Sequence, residues 1–219
     1  IFGNFGVTGI CNVEMTPQFA SALGAAYGST LGKNALIACS RDSHKASRMI
    51  YRALMAGVLS VGVNVANLEM VPIPVSRYGA RSLKANGGFH VRKSPFDHEV
   101  IDIKFFDSDG IDLSSSAEKK IERLFFAEDY PRTKIDETGE ISYPFHRVAE
   151  EYRAGILDYL HKQTTQTANL KVVIDYSHGA AAQIFPYILG EGGLNVIALG
   201  AYIDAGRITK DGPAFEHSL

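Results

Sequence analysis

The sequence contains no tryptophan and only two cysteines in 219 residues. Cys11 and Cys39 are far apart and show no C-x-x-C spacing, so the sequence indicates neither a thiolate metal site nor a dithiol redox motif. Both lie among apolar residues, which favours reduced and buried side chains. Because no secretory leader is visible either, the pattern predicts a cytoplasmic protein with free thiols.

The sequence also lacks an excess of either charge. Lysine and arginine number 22 and aspartate and glutamate 24, which gives a formal net charge of -2. Without a broad positive field, nucleic acid is disfavoured as the main partner. An acidic small molecule would need a local basic pocket, so clustered cations are the features that would indicate an anion site.

Long hydrophobic runs are missing as well. The apolar stretch 53–65 is interrupted by glycine and falls short of the roughly 20 residues that span a bilayer, so no membrane helix is expected. Hydrophobic residues still make up 46% of the chain, enough to bury the core of one large or two modest domains. Because Ile1 is not methionine and 211–219 lacks a closing element, we expect a piece of a longer chain.

Strands and helices alternate through the first part of the chain. Thr16-Pro17 predicts a helix start, with threonine as the N-cap and proline at the first helical position, and Gly32 predicts its end. The following strand, helix, strand and helix are expected at 35–39, 46–61, 63–68 and 76–83. This alternation favours parallel pairing in an α/β layer over a β-sandwich.

The pattern changes after Gly88. Two strands, 89–93 and 100–106, are joined by a polar loop, which predicts an antiparallel or mixed edge of the sheet. A helix is expected at 117–126, and the charged, turn-rich stretch 128–143 is the best candidate for a linker.

A second α/β unit is expected beyond the linker. Its predicted helix, strand, helix and strand lie at 145–161, 171–175, 179–190 and 195–199. We therefore expect a first domain over 1–140 and an incomplete second domain over 145–219.

The first candidate site is the loop that contains Ser94-Pro95. Proline disfavours a helical backbone at the preceding residue, so Ser94 is expected to be extended with an exposed hydroxyl. Arg92 and Lys93 precede the serine, and Lys104 lies on the strand that returns from the loop. Cations beside a hydroxyl suit a phosphate, although a solvated basic turn is the alternative.

The second candidate is the turn Ser40-Arg41-Asp42-Ser43, between a buried strand and a helix. Ligands of open α/β sheets gather at the carboxyl ends of strands, and a helix N-terminus beside Arg41 favours an anion. Alternatively, Asp42 or Ser43 caps the helix, and the sequence leaves both interpretations open.

A third cluster, Asp175 to Gly179, contains Ser177 and His178. No G-x-S-x-G motif surrounds the serine and no third partner is evident, so helix capping is favoured over acid-base chemistry. The other histidines show neither H-E-x-x-H nor H-x-x-E-H spacing, and no metal site made by protein side chains alone is expected.

Taken in order, these segments resemble the phosphohexomutases, the family of phosphomannomutase and phosphoglucomutase, over essentially the whole chain. Four family motifs have counterparts here. The G-R-D-T-R turn corresponds to 40–44 and the A-G-L-x-x-x-G-x-x-V run to 56–65. The P-T-P segment corresponds to 72–74 and the D-x-x-x-G-A-G turn to 175–181. The opening phenylalanine-glycine segment and the T-P helix start correspond to 2–9 and Thr16-Pro17.

The most specific part of the resemblance is the active-site run, G-G-x-x-x-T-A-S-H-N-P. Without a gap it falls on 87–97, and the N-G-I-K-F strand that follows it falls on 101–105. The serine and the lysine of these motifs are retained as Ser94 and Lys104.

The resemblance implies a three-layer α/β/α first domain with a mixed sheet, a partial second α/β domain and a hexose phosphate substrate, mannose or glucose 1-phosphate and 6-phosphate. Ser94 would carry the phosphoryl group, Lys104 would serve proton transfer, and Arg41, Arg92 and Lys93 would bind phosphate. Mg²⁺ would be held through the phosphate on Ser94, with its other ligands in a D-G-D-x-D-R loop that this chain does not reach. We predict that Ser94, Arg41 and Lys104 converge on one anion site.

Four departures from the family pattern leave two functions open. Thr8 stands where the family has its opening arginine, and Phe5 stands where it has an aspartate or serine three residues earlier. After the serine, Pro95 and Phe96 replace a histidine and an asparagine. One interpretation is an active but variant phosphohexomutase. The other is a mutase-like binding or regulatory module without turnover, fused to a sugar nucleotidyltransferase such as mannose-1-phosphate guanylyltransferase.

Overall fold

The computed structural model describes residues 1–162 and 171–204, and its centre is a seven-stranded sheet. The strands are β1 Phe2–Gly3, β2 Gly6–Ile10, β3 Leu36–Arg41, β4 Asn64–Met70, β5 Gly87–Lys93, β6 Val100–Asp107 and β7 Ile141–Ser142. Their order across the sheet is β1-β2-β6-β5-β3-β4-β7. Because β3 pairs in parallel with β4 and β5, while β6 pairs antiparallel with β2 and β5, the expected mixed sheet is confirmed.

Helices cover both faces of the sheet and complete three layers. They are α1 Pro17–Leu31, α2 Lys45–Ser60, α3 Ile73–Ser82, α4 Ser115–Ala127 and α5 Phe145–Lys162. Helices α1, α2 and α4 contribute to the core on one face, the α1 face, and α3 and α5 to the core on the opposite face, the α3 face. The α1 helix begins as predicted, since the Thr16 hydroxyl accepts a hydrogen bond from Phe19 N at 3.1 Å.

Close approach of α1 and α2 depends on two glycines. A Cβ on Gly24 would lie 2.1 Å from the Leu54 carbonyl oxygen, and one on Gly57 would lie 2.0 Å from the Ser21 carbonyl oxygen. Both separations are far inside van der Waals contact, so the two helix backbones can pack this closely only because side chains are missing at the crossing.

Two features of the first unit differ from the sequence-based expectation. Strand β3 continues through Arg41, so Ser40 and Arg41 lie in the strand and not in a turn. The stretch 128–143 is not wholly irregular, because it contains a 3₁₀ turn, Ile135–Glu137, and strand β7, which pairs in parallel with β4. The sheet therefore extends past residue 140, and the proposed boundary between 140 and 145 stays a prediction.

The second α/β unit contains a two-stranded parallel sheet. Strands β8 Lys171–Asp175 and β9 Asn195–Leu199 pair in register over five residues each. The helix expected at 179–190 is split into a 3₁₀ turn, Ala180–Gln183, and α6, Phe185–Glu191. Ile184 and Ile188 pack into the core of the α3 face, and the residues after 204 lie outside the described part of the chain.

Both cysteines are unpaired, and burial raises the pKa of Cys39 to about 12. This thiol is therefore protonated and inert at neutral pH. Within 1–162 and 171–204, no helix is both long and apolar enough to span a bilayer.

Candidate active site

Polar side chains from β5 and β6 gather on the α3 face of the sheet. Phe89 and Val91 on β5, like Ile101 and Ile103 on β6, belong to the core of the α1 face. Side chains alternate along a strand, so the residues between and beyond them point to the opposite face. These residues are His90, Arg92, Ser94, Asp102 and Lys104.

Ser94 follows the last residue of β5 and is buried, which differs from the expected exposed hydroxyl. Its backbone N–H donates to the Val100 carbonyl at 2.9 Å, which holds the loop closed. Its hydroxyl oxygen accepts from Phe96 N at 3.3 Å, and the hydroxyl lies near enough to Asp102 to help lower the pKa of that carboxyl. Ser94 is thus held by backbone groups of the loop and of β6.

Asp102 lies at the centre of this cluster, although no sequence motif singles it out. It pairs in register with Arg92 on β5 and with Thr8 on β2, and its side chain is 1% exposed. Arg92 Nε donates to Asp102 Oδ2 at 3.2 Å. Burial raises the pKa of Asp102, an effect that Arg92, Lys104 and the nearby Ser94 hydroxyl partly oppose. The sequence signal for it was a carboxylate between two buried isoleucines, on the face of Lys104.

Lys104 lies on the same face, beside two of the departures from the family pattern. Its Nζ donates to the Asn4 carbonyl at 3.3 Å and is 5.7 Å from the centroid of the Phe5 ring. The Phe5 and Phe96 rings contact each other with centroids 4.9 Å apart, and both are exposed. The two replacements thus form one aromatic pair at the mouth of the Ser94 loop.

Arg41 is buried and has other partners. One guanidinium nitrogen donates to Glu69 Oε2 at 3.1 Å, and another donates to the Asp42 carbonyl at 2.8 Å. In the described part of the chain, its Nε has no hydrogen-bond partner. Among residues 1–162 and 171–204, Arg41 and Ser94 share no hydrogen-bond partner, so their predicted convergence with Lys104 stays a prediction.

Asp42 connects the two candidate loops. Its Oδ2 accepts from Lys93 N at 2.7 Å, and its own N–H donates to the Val91 carbonyl at 3.0 Å. Oδ1 accepts from His44 N at 2.9 Å, whereas the N-cap of α2 is His44 itself, through Nδ1. The helix is therefore capped by neither Asp42 nor Ser43, and Asp42 fixes the backbone next to Ser94.

Ser40 and His90 form a buried pair in the middle of the α3 face. Ser40 Oγ and His90 Nδ1 are 2.7 Å apart, and both residues are buried. Burial lowers the pKa of His90 to about 3, with further lowering by Arg92 and Arg77, so the imidazole is neutral at physiological pH. The hydrogen bond between Ser40 and His90 links β3 to β5, the strand that leads to Ser94.

The third candidate cluster forms a turn. Ser177 N donates to Asp175 Oδ1 at 2.8 Å, and Ser177 and His178 both have positive φ, 50° and 58°. The His178 ring packs on Tyr202 with centroids 4.4 Å apart. Aspartate commonly stabilises turns through such bonds to its own backbone, so the favoured structural interpretation fits better than acid-base chemistry, although as a turn and not as a helix cap.

The fold and the serine loop first define a class, the three-layer α/β/α domain of the phosphohexomutase type. Residues 1–132 match the sequence model of the family described as phosphoglucomutase/phosphomannomutase, alpha/beta/alpha domain I. The chain belongs to this family, which confirms the resemblance noted in its motifs.

Curated relatives carry several mutase names. The Thermococcus kodakarensis phosphoglucomutase/phosphomannomutase is 32% identical over 93% of this chain and 45% of its own length. The Sulfurisphaera tokodaii phosphoglucosamine/phosphogalactosamine mutase is also 32% identical, over 93% of this chain and 45% of its own length. A T. kodakarensis phosphopentomutase is 30% identical over 99% and 46%. The chain thus spans about half the length of the curated relatives it matches.

Solved structures confirm the fold. A phosphoglucomutase/phosphomannomutase family protein from Burkholderia thailandensis superimposes with a TM-score of 0.76 at 20% identity, covering 97% of this chain and 46% of that one. A structure described as a putative phosphomannomutase from Thermus thermophilus gives a TM-score of 0.71 at 22% identity, covering 94% and 46%.

Proposed function

We propose that this chain carries the phosphoryl-transfer serine of a sugar-phosphate mutase and that Ser94 is that serine. The observation that carries the proposal is the environment of its hydroxyl. The oxygen accepts a hydrogen bond from Phe96 N, and Arg92 and Lys104 lie on the same face of the sheet. Membership of the family over 1–132 supports the choice, because Ser94 lies within the matched region.

In the proposed reaction, phosphorylated Ser94 passes its phosphoryl group to a free hydroxyl of the sugar monophosphate, and the resulting sugar bisphosphate returns its other phosphoryl group to Ser94 Oγ. In each transfer the bond from phosphorus to the donor oxygen breaks as the bond to the acceptor oxygen forms, and the proton of the acceptor hydroxyl is delivered to the donor oxygen. Such transfers ask the protein mainly for positioning and for stabilisation of negative charge. Two side chains on the α3 face would supply that charge, Arg92 to the phosphate and Lys104 to the phosphate or to a proton in transit.

Arg41 and Lys93 are proposed as outer phosphate-binding groups. Lys93 directly precedes Ser94. Both cations contact Asp42: the backbone N–H of Lys93 donates to its carboxylate, and the Arg41 guanidinium donates to its carbonyl. The ion pair of Arg41 with Glu69 would have to open or share the guanidinium for a phosphate to bind there.

The substrate is proposed as a sugar monophosphate, with mannose and glucose phosphates as the first candidates. Relatives named for phosphoglucosamine and phosphopentose show that the family's names cover other sugars. Specificity within the class is therefore a matter for assay with several sugar phosphates.

Magnesium is proposed as the cofactor of the whole protein. The described residues contain no group of three acidic, histidine or cysteine side chains suited to a metal. Mg²⁺ commonly takes one or two carboxylates together with phosphate oxygens and water, so a phosphate on Ser94 fits as one ligand but this part of the chain does not form a complete site. The remaining ligands would come from elsewhere in the whole protein.

A binding module without turnover is a second candidate, and one contact favours it. Arg92, a proposed phosphate ligand, is already paired with the buried carboxylate of Asp102. Thr8, which lies opposite Asp102 on β2, carries no positive charge that could bind phosphate in place of Arg92. The expected fusion to a nucleotidyltransferase is not supported by the names of these relatives and, like the domain limits 1–140 and 145–219 and a cytoplasmic location, remains a proposal.

The test is a mutase assay on the full-length polypeptide with mannose, glucose and glucosamine phosphates. We expect Ser94→Ala to abolish interconversion of the 1-phosphate and 6-phosphate. Ser116→Ala is the matched control, because Ser116 is exposed on α4 and its hydroxyl hydrogen-bonds that of Ser114. Turnover that survives in Ser94→Ala would refute the role of Ser94, and a wild-type protein that binds these sugars without turnover would favour the binding module.

A further inference from the structure

A buried carboxylate beside the candidate nucleophile has no role in the proposed phosphoryl transfer. Asp102 is 1% exposed in the middle of β6. An ionised group is seldom buried this deeply unless it is paired, because removal of a charge from water is costly. Its partners therefore show what the site is built to hold.

The partner of Asp102 belongs to the candidate site. Arg92 Nε donates to Asp102 Oδ2 at 3.2 Å, and the Ser94 hydroxyl is close enough to help lower the pKa of the same carboxyl. Arg92 is a cation that a phosphate at this position would use. In the structure the carboxylate already has it.

We propose that Asp102 acts as an internal anion, which takes the place of a phosphate oxygen beside Ser94 and keeps Arg92 from binding free phosphate. The inference rests on the proposed phosphate-handling role of Ser94 and concerns what controls access to that same site. Asp102 is then a selectivity-determining residue: it excludes small free anions and admits a phosphate only together with further positive charge.

The charges on the face are consistent with this role. Arg92 and Asp102 cancel, and Lys104, another cation on that face, donates from its Nζ to the Asn4 carbonyl. A phosphate dianion placed near Oγ of Ser94 would meet the carboxylate of Asp102, which is close enough to that hydroxyl for the hydroxyl to influence its pKa. Like charges at such short range repel strongly away from bulk water.

A purely structural ion pair is the simple alternative. Exposed or half-buried pairs between neighbouring strands are common, and such a pair would bind Arg92 without any effect on anions. The two interpretations differ in one measurable respect. If Asp102 competes with phosphate, its neutralisation should strengthen anion binding, whereas loss of a structural pair should leave it unchanged or weaken it.

The experiment measures binding of inorganic phosphate and of sulfate by titration calorimetry, with this chain and three variants. Asp102→Asn keeps the shape of the side chain and removes its charge. Arg92→Met/Asp102→Asn removes both charges, so it leaves no buried ion unpaired. Asp97→Asn is the matched control, since Asp97 is exposed in the same loop and its side chain accepts from Glu99 N at 2.9 Å, a bond that the asparagine oxygen can keep.

We expect Asp102→Asn to bind phosphate at least tenfold more tightly than wild type, a difference of about 1.4 kcal/mol. The double variant should lose this gain, because the freed Arg92 causes it, and Asp97→Asn should match wild type. Thermal melts report whether each variant is folded. If Asp102→Asn is not, Asp102→Ser is used, since a smaller neutral side chain removes the charge without filling the space.

Unchanged or weaker phosphate binding in the folded neutral variant would overturn the inference, and so would a gain that persists in the double variant. Phosphorylation of Ser94, followed by intact mass, separates this result from the proposed function. A phosphorylated Ser94 with unchanged affinity in Asp102→Asn contradicts only the internal anion. An unphosphorylated Ser94 with the expected gain contradicts only the transfer role of the serine.

Discussion

At the scale of single residues, the candidate site depends on side chains that only the folded sheet brings together. The sequence predicted the loop serine and the lysine on the returning strand, because proline fixes the loop and strand alternation places the lysine. Asp102 was missed because its partner Arg92 lies on the neighbouring strand, and neither strand's sequence alone determines the register in which the two pair. The ion pair between Arg41 and Glu69 was not predicted either, since Glu69 lies near the end of a neighbouring parallel strand.

The buried imidazole of His90 leads to a prediction on stability and pH. Its pKa is about 3 in the folded protein against 6.5 when unfolded, so the unfolded state takes up a proton first as pH falls. The stabilisation is complete above 6.5 and is lost as pH falls from there toward 3, by up to about 1.4 kcal/mol per pH unit.

Urea unfolding between about pH 7 and about pH 5 measures this loss. Wild type should lose free energy of unfolding more steeply than His90→Asn, whose amide oxygen can still accept from Ser40 but does not titrate. His98→Asn is the control, because His98 is exposed in the loop after Ser94. Equal slopes for wild type and His90→Asn would contradict a neutral buried histidine.

At the scale of elements, local chemistry predicted most helices and strands but not how far they extend. Thr16 and Ser114 cap α1 and α4 as their positions indicate, because a hydroxyl before a helix satisfies a free backbone N–H. The extension of β3 through Arg41 depends on pairing with β4 and β5, and the short strand β7 exists only because β4 offers it an edge. Such pairings are set by the whole sheet and leave little trace in a short segment.

The crossing of α1 and α2 gives a prediction on packing. Gly57→Ala should destabilise the protein by about 1 to 3 kcal/mol, because the new methyl group would meet the Ser21 carbonyl at 2.0 Å and force the helices apart. Gly190→Ala is the matched control in α6, where a Cβ meets nothing within 4 Å and alanine favours the helix by about 1 kcal/mol. Thermal melts of the two variants compare them, and similar melting temperatures would show that the close crossing is unimportant.

At the scale of the whole molecule, the chain covers only part of the length of its relatives. It spans 45% of the T. kodakarensis phosphoglucomutase/phosphomannomutase, and the described residues form no complete metal site. Phosphoryl transfer depends on positioning and on charge stabilisation from several groups at once. We therefore predict that these 219 residues alone have no mutase turnover.

A coupled assay with mannose and glucose phosphates tests this prediction. The expected result is no interconversion above the rate without protein. Interconversion that scales with the concentration of this chain, and disappears in Ser94→Ala, would show that the chain is sufficient for catalysis.

The most direct test of the central claim is the phosphorylation state of Ser94. Full-length protein is purified from its source, or incubated with a hexose bisphosphate and magnesium, and then analysed by intact mass and peptide mapping. We expect one phosphoryl group on the peptide that contains Ser94 and none on Ser94→Ala. Protein that remains unphosphorylated at Ser94 under both conditions, or carries its phosphate on another residue, would contradict it.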